Sequence, residues 1–216
     1  MAGPPSPSCF ASTAQETRSP QRFVASTLEI KSWRDRVPTC AEARPGCCPS
    51  CRTAARPIGG RLVIVGHGLV ERQVLGPSIA SGRPEQGMVT LRRYRCRACK
   101  AVLLVGPRGL VVRRWYSGGA IALALAAYGR GETSVAARVR TSPSHEVGAS
   151  ATERWVTLVR WIEAARRGEL FGVTGLSELE RRGVAQQVAF VLAGRGGHKI
   201  GADRAESTFA GASIAA

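Results

Sequence analysis

The sequence predicts an α+β protein, with a small antiparallel sheet in its first half and a bundle of helices in its second. Two C-x-x-C pairs frame several runs of strand-forming residues, apolar residues recur at helical spacing after position 115, and a Pro- and Ser-rich segment precedes both. The expected parts are a disordered leader over 1–45, a ribbon over 46–106, a three-helix unit over 107–168, a further helix over 169–194 and a flexible tail over 195–216.

The cysteine pairs are the strongest chemical signal in the chain. Cys48 and Cys51 form the first pair and Cys96 and Cys99 the second, with 44 residues between them. A two-residue spacer lets the backbone turn and present both thiolates to one tetrahedral ion, and two such pairs make the ligand set of a four-cysteine zinc site. The sequence therefore predicts that Zn²⁺ binds these four thiolates and holds a zinc ribbon together.

Other ligands and other chemistry stay open for these cysteines. Cys47 could replace Cys48 as a ligand, although the two-residue spacer favours Cys48. His67 could replace a thiolate, although a single histidine between glycines is more often a turn residue. A redox dithiol at Cys48 and Cys51 is a further alternative, but such a dithiol sits at a helix N-terminus, and neither pair clearly begins a helix.

Between the two pairs, the sequence predicts a hairpin and a third strand. Strand-forming runs at 61–65 and 69–75 are joined through the Gly-His-Gly segment at 66–68, which indicates a turn. Turn residues over 76–87 then lead into the strand that carries the second pair. This order of strands, with a cysteine pair at the tips of hairpins, is typical of a zinc ribbon.

The net charge indicates a polyanion as partner. The chain carries 31 Lys and Arg residues against 15 Asp and Glu, a net charge of +16, and only Lys31, Lys100 and Lys199 among the basic residues are lysines. Arginine pairs with phosphate through two parallel hydrogen bonds, which favours nucleic acid over membrane or protein. Because no apolar run could span a bilayer and no secretory signal begins the chain, we expect a cytoplasmic protein with reduced thiols.

The basic residues concentrate between the second cysteine pair and the first predicted helix. Positions 91–114 hold eight basic residues and no acid. A solvated surface without a ligand is the alternative interpretation of such a run. The residues of this run that we predict to contact nucleic acid are Arg92, Arg93, Arg95, Arg97, Arg113 and Arg114.

Three helices with capping signals follow the basic run. Ser117 is suited to cap the first, Thr133 the second, and residues 150–153 form a capping box for the third. A helix, a short helix and a longer helix with a basic face suggest a helix-turn-helix, whose last helix enters the major groove. An ordinary three-helix bundle is the alternative, because the second connection is far longer than the motif's turn. The helical residues predicted to contact DNA are Arg138, Arg140, Arg154, Thr157 and Arg160.

With these parts in this order, the chain resembles the N-terminal region of bacterial insertion-sequence transposases and short stand-alone proteins related to it. The resemblance covers residues 46–168 and rests on the motifs at 48–51, 66–68, 94–99 and 114–117. It implies zinc at the four cysteines and contact between the third helix and DNA.

The sequence offers little support for catalysis. Strand transfer needs three convergent carboxylates, yet the chain's only aspartates are Asp35 and Asp203, and Glu163 and Glu178 fall on helix surfaces. The Gly-rich stretch at 194–197 lacks the lysine of a phosphate-binding loop. We therefore expect a non-catalytic, zinc-stabilised DNA-binding protein without a small-molecule substrate, and an RNA- or ribosome-binding protein is the alternative.

Overall fold

The structure is a computed structural model that describes residues 21–144, 154–197 and 203–215. Within these ranges the chain forms a sheet and a group of helices, each with its own hydrophobic core. The elements are β1 (Gln21–Glu29), α1 (Ile30–Asp35), β2 (Ile64–Gly76), β3 (Glu85–Cys96), β4 (Val102–Arg108), α2 (Gly118–Gly129), α3 (Ser134–Thr141), α4 (Val156–Arg166), α5 (Arg181–Arg195) and α6 (Arg204–Ala215).

The sheet has four strands in the order β1-β4-β3-β2. β3 pairs antiparallel with both β2 and β4, whereas β1 lies parallel to β4 at the edge. The α+β class is confirmed, but the sheet is mixed because the N-terminal segment adds a parallel strand.

The N-terminal segment differs from the predicted disordered leader over residues 21–45. It forms β1 and α1, and the indole of Trp33 is fully buried with its Nε1 donating to the Thr90 carbonyl at 2.8 Å. The Pro- and Ser-rich composition that indicated disorder belongs mainly to residues 1–20, which lie outside the described residues. Phe23, Val24 and Trp33 supply the apolar contacts that tie this segment to the sheet.

The Gly-His-Gly segment is a β-bulge within β2, so the predicted hairpin turn at this place was wrong. β2 pairs with β3 on both sides of the segment, Gly66 with Tyr94 and Leu69 with Arg92, and two residues of β2 therefore oppose one of β3. Gly68 has a φ of 106°, which L side chains rarely adopt. The glycines thus permit a local bend without ending the strand.

α2 is the central helix of the second half. Eleven of its 12 residues are buried, because Ala, Gly and Leu on all its sides allow α3, α4, α5 and α6 to pack around it. Tyr116, Trp155 and Trp161 form an edge-to-face cluster in the same core, with ring centroids 4.9–6.0 Å apart. The predicted N-caps are confirmed, since Ser117 and Thr133 each accept an amide hydrogen bond through the side chain.

The C-terminal helices extend the predicted bundle. The helix expected over 169–194 is α5, and α6 lies inside the segment predicted as a flexible tail over 195–216. Gly196 and Gly211 let the backbones of α5 and α6 approach closely, which the Gly- and Ala-rich composition did not reveal. The capping box predicted at 150–153 lies outside the described residues. None of the described helices is both long and apolar enough to cross a membrane.

Candidate metal centre and basic surface

Both cysteine pairs lie in tight turns of the same construction. The first pair is in the loop before β2, and the second closes the β3–β4 hairpin. The amide of Cys48 donates to the Thr53 carbonyl and the amide of Cys96 donates to the Ala101 carbonyl, both at 2.9 Å. Each turn, hereafter a knuckle, thus closes between its first cysteine and the residue five positions later.

A second backbone hydrogen bond fixes each knuckle from the other side. The amide of Arg52 donates to the Cys48 carbonyl at 2.7 Å, and the amide of Lys100 donates to the Cys96 carbonyl at 2.9 Å. Arg52 and Lys100 both have a positive φ, at 59° and 63°. The left-handed residue turns the chain back so that both thiols of a pair point to the same side.

The four predicted ligands meet at one point. The Sγ atoms of Cys48, Cys51, Cys96 and Cys99 all lie within 4.8 Å of one another. Two separations, Cys48 to Cys99 and Cys51 to Cys96, are 3.7 Å. Zinc–sulfur bonds of about 2.3 Å place the corners of a tetrahedron roughly 3.8 Å apart, whereas a disulfide needs about 2.05 Å. The arrangement therefore fits a four-coordinate metal ion and is too open for disulfides.

The alternative ligands do not belong to this cluster. Cys47 is exposed and outside it, so the first pair contributes Cys48, as the spacing favoured. His67 is exposed on the bulge of β2. Cys40 packs against Gly66, where an added Cβ would lie 2.6 Å from its Sγ. Cys9 lies outside the described residues.

The metal-free thiols differ in acidity. The Cys51 Sγ is hydrogen-bonded to the Thr53 hydroxyl at 3.3 Å, and this contact, followed by the Thr53 backbone, favours the thiolate and lowers the pKa of Cys51 to about 6. The Ala101 amide favours the Cys99 thiolate, but desolvation and the neighbouring thiols oppose ionisation, and the pKa of Cys99 rises to about 12. The Cys51 thiolate therefore forms readily, whereas the Cys99 thiolate is strongly disfavoured by the neighbouring thiols. A bound divalent cation reduces this repulsion, because each thiolate is attracted to its positive charge.

The arginines of the basic run divide between the two faces of β3. Arg93 is half-buried and donates from Nε to the His67 carbonyl at 3.0 Å, and Arg95 is exposed on the same face. Arg92 lies on the opposite face and donates to the Pro38 carbonyl at 2.5 Å. Arg97 is exposed within the second knuckle. Arg93 and Arg95 thus share the face of β3 that leads to the second knuckle, whereas Arg92 points to the other face.

Arg113 and Arg114 line an open groove beside the sheet. Arg72 of β2 lies in the same groove, and its Nη2 donates to the carbonyls of Val111 and Arg114. Sequence reasoning missed Arg72 because it stands within the strand-forming run at 69–75, where alternate polar residues are ordinary. Its position opposite Val89 in the sheet places it on the groove face.

The predicted contacts on the helices have different environments. Arg138 is only 7% exposed and donates to the Ser144 carbonyl at 2.8 Å, so its assignment to DNA contact was wrong. On the same helix Val139 is 47% exposed, whereas Ala137 and Arg138 are buried. Arg140 is exposed and forms an ion pair with Glu132 at 2.9 Å.

The predicted recognition helix, α4, starts well after α3. Residues 130–133 join α2 to α3, a connection as short as that of a helix-turn-helix, whereas α4 begins only at Val156. Arg154 and Arg160 are exposed and Thr157 is half-buried. Contact between DNA and this helix stays a prediction.

The chain matches no protein-family model, no curated protein and no solved structure. The resemblance to transposase N-terminal regions is therefore a hypothesis that rests on the sequence motifs. The cysteine cluster and the exposed arginines are the features of the described residues that bear on the function of this chain.

Proposed function

We propose that this chain is a non-catalytic, zinc-stabilised DNA-binding protein of the kind found at the N-terminus of insertion-sequence transposases. The observation that carries the proposal is the convergence of four cysteine sulfurs within 4.8 Å, next to an arginine-rich strand. Four thiolates in tetrahedral arrangement are the donor set that structural zinc prefers.

Zinc would supply the connection between the two knuckles. The first knuckle contains an isolated bridge between Cys47 and Ala54, and Cys48 and Ala55 pack in the core of the sheet. A metal ion bound by Cys48 and Cys96 ties this knuckle to the end of β3. Because a structural zinc site contributes its binding free energy to folding, removal of the ion would loosen the basic surface as well.

The position of the arginines favours nucleic acid as the partner. Arg95 and Arg97 project from the strand and the knuckle that the metal holds in place, and Arg93 lies one pleat further along β3. Guanidinium groups on a rigid support pair well with phosphate oxygens. Exposed Arg154 and Arg160 give α4 a second basic surface that would reach the major groove of a duplex.

A thiol oxidoreductase is the second candidate, and the lowered pKa of Cys51 is the observation that favours it. The Sγ of Cys51 lies 3.7 Å from the Sγ of Cys96 in the other pair. An oxidoreductase would reduce a test disulfide catalytically in the metal-free state, whereas a structural metal site would not.

The test combines metal analysis with binding of a mixed-sequence DNA duplex. The purified chain should contain one zinc ion per molecule and bind the duplex with an affinity that falls steeply with salt. Cys96→Ser should lose both zinc and binding, whereas Cys47→Ser should keep both because Cys47 is outside the cluster. Arg95→Glu should weaken binding more than Arg56→Glu, a matched charge reversal at another exposed arginine.

A chain without stoichiometric zinc, or one that binds duplex DNA no better than an acidic protein does, would contradict the proposal. Structured RNA added as a competitor separates DNA binding from the RNA alternative, because phosphate contacts alone do not distinguish the two.

A further inference from the structure

A groove of about 1000 Å³ opens on one face of the sheet. Its floor includes Phe23 of β1 and Leu104 of β4, which are paired in register. Its walls include Arg113 and Arg114 from the segment between β4 and α2. The groove is thus apolar and aromatic at its base and basic at its rim.

The charge of the groove is positive. Among the residues that the structure describes, four arginines line it, Arg22, Arg72, Arg113 and Arg114, against one acid, Glu169. The carboxylate of Glu169 is already paired with Arg167, at 2.7 and 2.9 Å from the guanidinium nitrogens, and Arg167 does not line the groove. The groove therefore presents a net positive field to an incoming ligand.

The wall of the groove is held in place before any ligand binds. Arg72 donates from Nη2 to the carbonyls of Val111 and Arg114 and so ties the wall to β2. Arg113, which lies in the chain between Val111 and Arg114, has a φ of 60° and an exposed side chain. A preformed site loses less conformational entropy on binding than a flexible one.

The register of the sheet extends this groove toward the metal centre. Arg93, Leu104 and Phe23 form one row across β3, β4 and β1. Arg95 and Val102 pair in the next row on the same face, one pleat closer to Cys96. Neighbouring rows on one face are about 6.6 Å apart, because each residue of a strand rises about 3.3 Å. The sheet thus offers an arginine beside an apolar residue in each of these two rows.

We propose that this groove and the adjoining sheet face bind a single strand of nucleic acid, with a base stacked on Phe23 and phosphates paired with Arg93, Arg95 and Arg113. Aromatic platforms beside a basic track are the means by which proteins bind single strands without sequence preference. A base pair inside a duplex cannot place its ring on Phe23, so the floor of the groove discriminates between the two forms. The inference rests on the proposed function in that the partner is a nucleic acid, and it adds single strands to the duplex that the proposed function names.

The test measures fluorescence anisotropy of labelled oligothymidylate and oligouridylate, each of about 16 nucleotides, the upper end of single-strand site sizes. Both should compete with the mixed-sequence duplex. The oligonucleotide that binds more tightly shows whether the single strand is DNA or RNA. Dextran sulfate, a polyanion without bases, serves as the probe for charge alone.

Two pairs of variants separate stacking from charge and from folding. Phe23→Leu keeps the apolar packing and should weaken oligonucleotide binding about tenfold without changing dextran sulfate binding, whereas Phe23→Tyr should bind normally. Arg113→Glu should weaken binding of both polyanions and lower the salt slope for the oligonucleotide by roughly 0.7 per lost phosphate contact. Arg56→Glu, which reverses an exposed arginine outside the groove, should have a much smaller effect.

The inference is overturned if the single strands fail to compete with the duplex, or if Phe23→Leu and Arg113→Glu bind oligonucleotides as the unchanged chain does. Duplex binding that persists in either case leaves the proposed function intact. If the chain binds neither the single strands nor the duplex more tightly than an acidic control protein does, both proposals fail together.

Discussion

Arg52 and Lys100 occupy equivalent positions in the two knuckles, each directly after the second cysteine, with φ angles of 59° and 63°. This left-handed region costs a residue with a side chain roughly 1 kcal/mol or more, and glycine adopts it without that cost. Both knuckles therefore keep a basic side chain at a position where glycine would relieve backbone strain. The side chains of Arg52 and Lys100 are exposed, so packing does not explain them.

Substitution of these two residues separates strain from charge. Arg52→Gly and Lys100→Gly should each stabilise the zinc-bound chain by about 0.5 kcal/mol, since relief of strain exceeds the entropy that glycine gains in the unfolded state. Denaturant unfolding measures the change. Arg52→Ala is the control, because it removes the same charge but keeps the strain, and it should not stabilise. Equal effects of Gly and Ala would show that charge, not backbone conformation, sets the stability.

Thr53 controls the acidity of the metal-free cluster. Thr53→Val keeps the shape of the side chain but removes the hydroxyl that is hydrogen-bonded to Cys51, so the pKa of Cys51 should rise from about 6 toward its ordinary value near 9. Ultraviolet absorbance of the thiolate during a pH titration of the metal-free chain follows this change. Cys51→Ser should abolish the low-pH step altogether, and a step that persists in Cys51→Ser would assign it to another thiol.

The same shift fixes the direction of the pH dependence. The pKa of Cys51 is lower in the folded chain than its ordinary value, so its ionisation stabilises the metal-free fold fully above about pH 9, and this contribution is lost as the pH falls through about 6. Zinc affinity should fall over the same interval, because protons compete with the metal for the sulfurs. Thermal unfolding at several pH values, with and without a chelator, measures both effects.

Close packing of α5 and α6 makes Gly211 intolerant of a side chain. A Cβ at this position would lie 1.8 Å from the Leu192 carbonyl oxygen, and the contact is with backbone that cannot move aside. Gly211→Ala should therefore destabilise the chain by about 2–3 kcal/mol. Gly194→Ala in α5 is the matched control, since nothing lies within 4 Å of its added Cβ, and it should stabilise by about 0.5–1 kcal/mol. Chemical denaturation that ranks the two variants in the opposite order would contradict the α5–α6 packing.

Trp33 tests whether the N-terminal segment is part of the folded sheet. Its indole is 0% exposed and bonded to the Thr90 carbonyl, so Trp33→Ala should destabilise the chain by about 3–5 kcal/mol. Lys31→Ala, two residues earlier on the exposed side of α1, should change stability by less than about 0.5 kcal/mol. Limited proteolysis adds a local readout, because Trp33→Ala should open sites within residues 21–35. A Trp33→Ala chain as stable as the Lys31→Ala chain would show that the segment does not pack as described.

Local signals predicted much of the fold because they depend on short-range geometry. The C-x-x-C spacing identified the cysteines that cluster, and Ser117 and Thr133 marked helix starts because a cap acts within three residues. The prediction that Arg138 lies on the surface failed, since α3 is short and its buried side is set by its neighbours rather than by its own pattern. The Gly-His-Gly segment was predicted as a turn because the same residues suit both a turn and a bulge.

The sequence by itself determined the α+β class, the four cysteines that come together and the strongly positive charge, because residue types and their spacing along the chain are enough to specify these. Only the tertiary structure decided that residues 21–35 complete the sheet, that β2 continues through its glycines, and that Arg72 joins Arg113 in one groove. These features depend on pairing between segments far apart in the chain, and the free energy of such pairing comes from partners that no local pattern names.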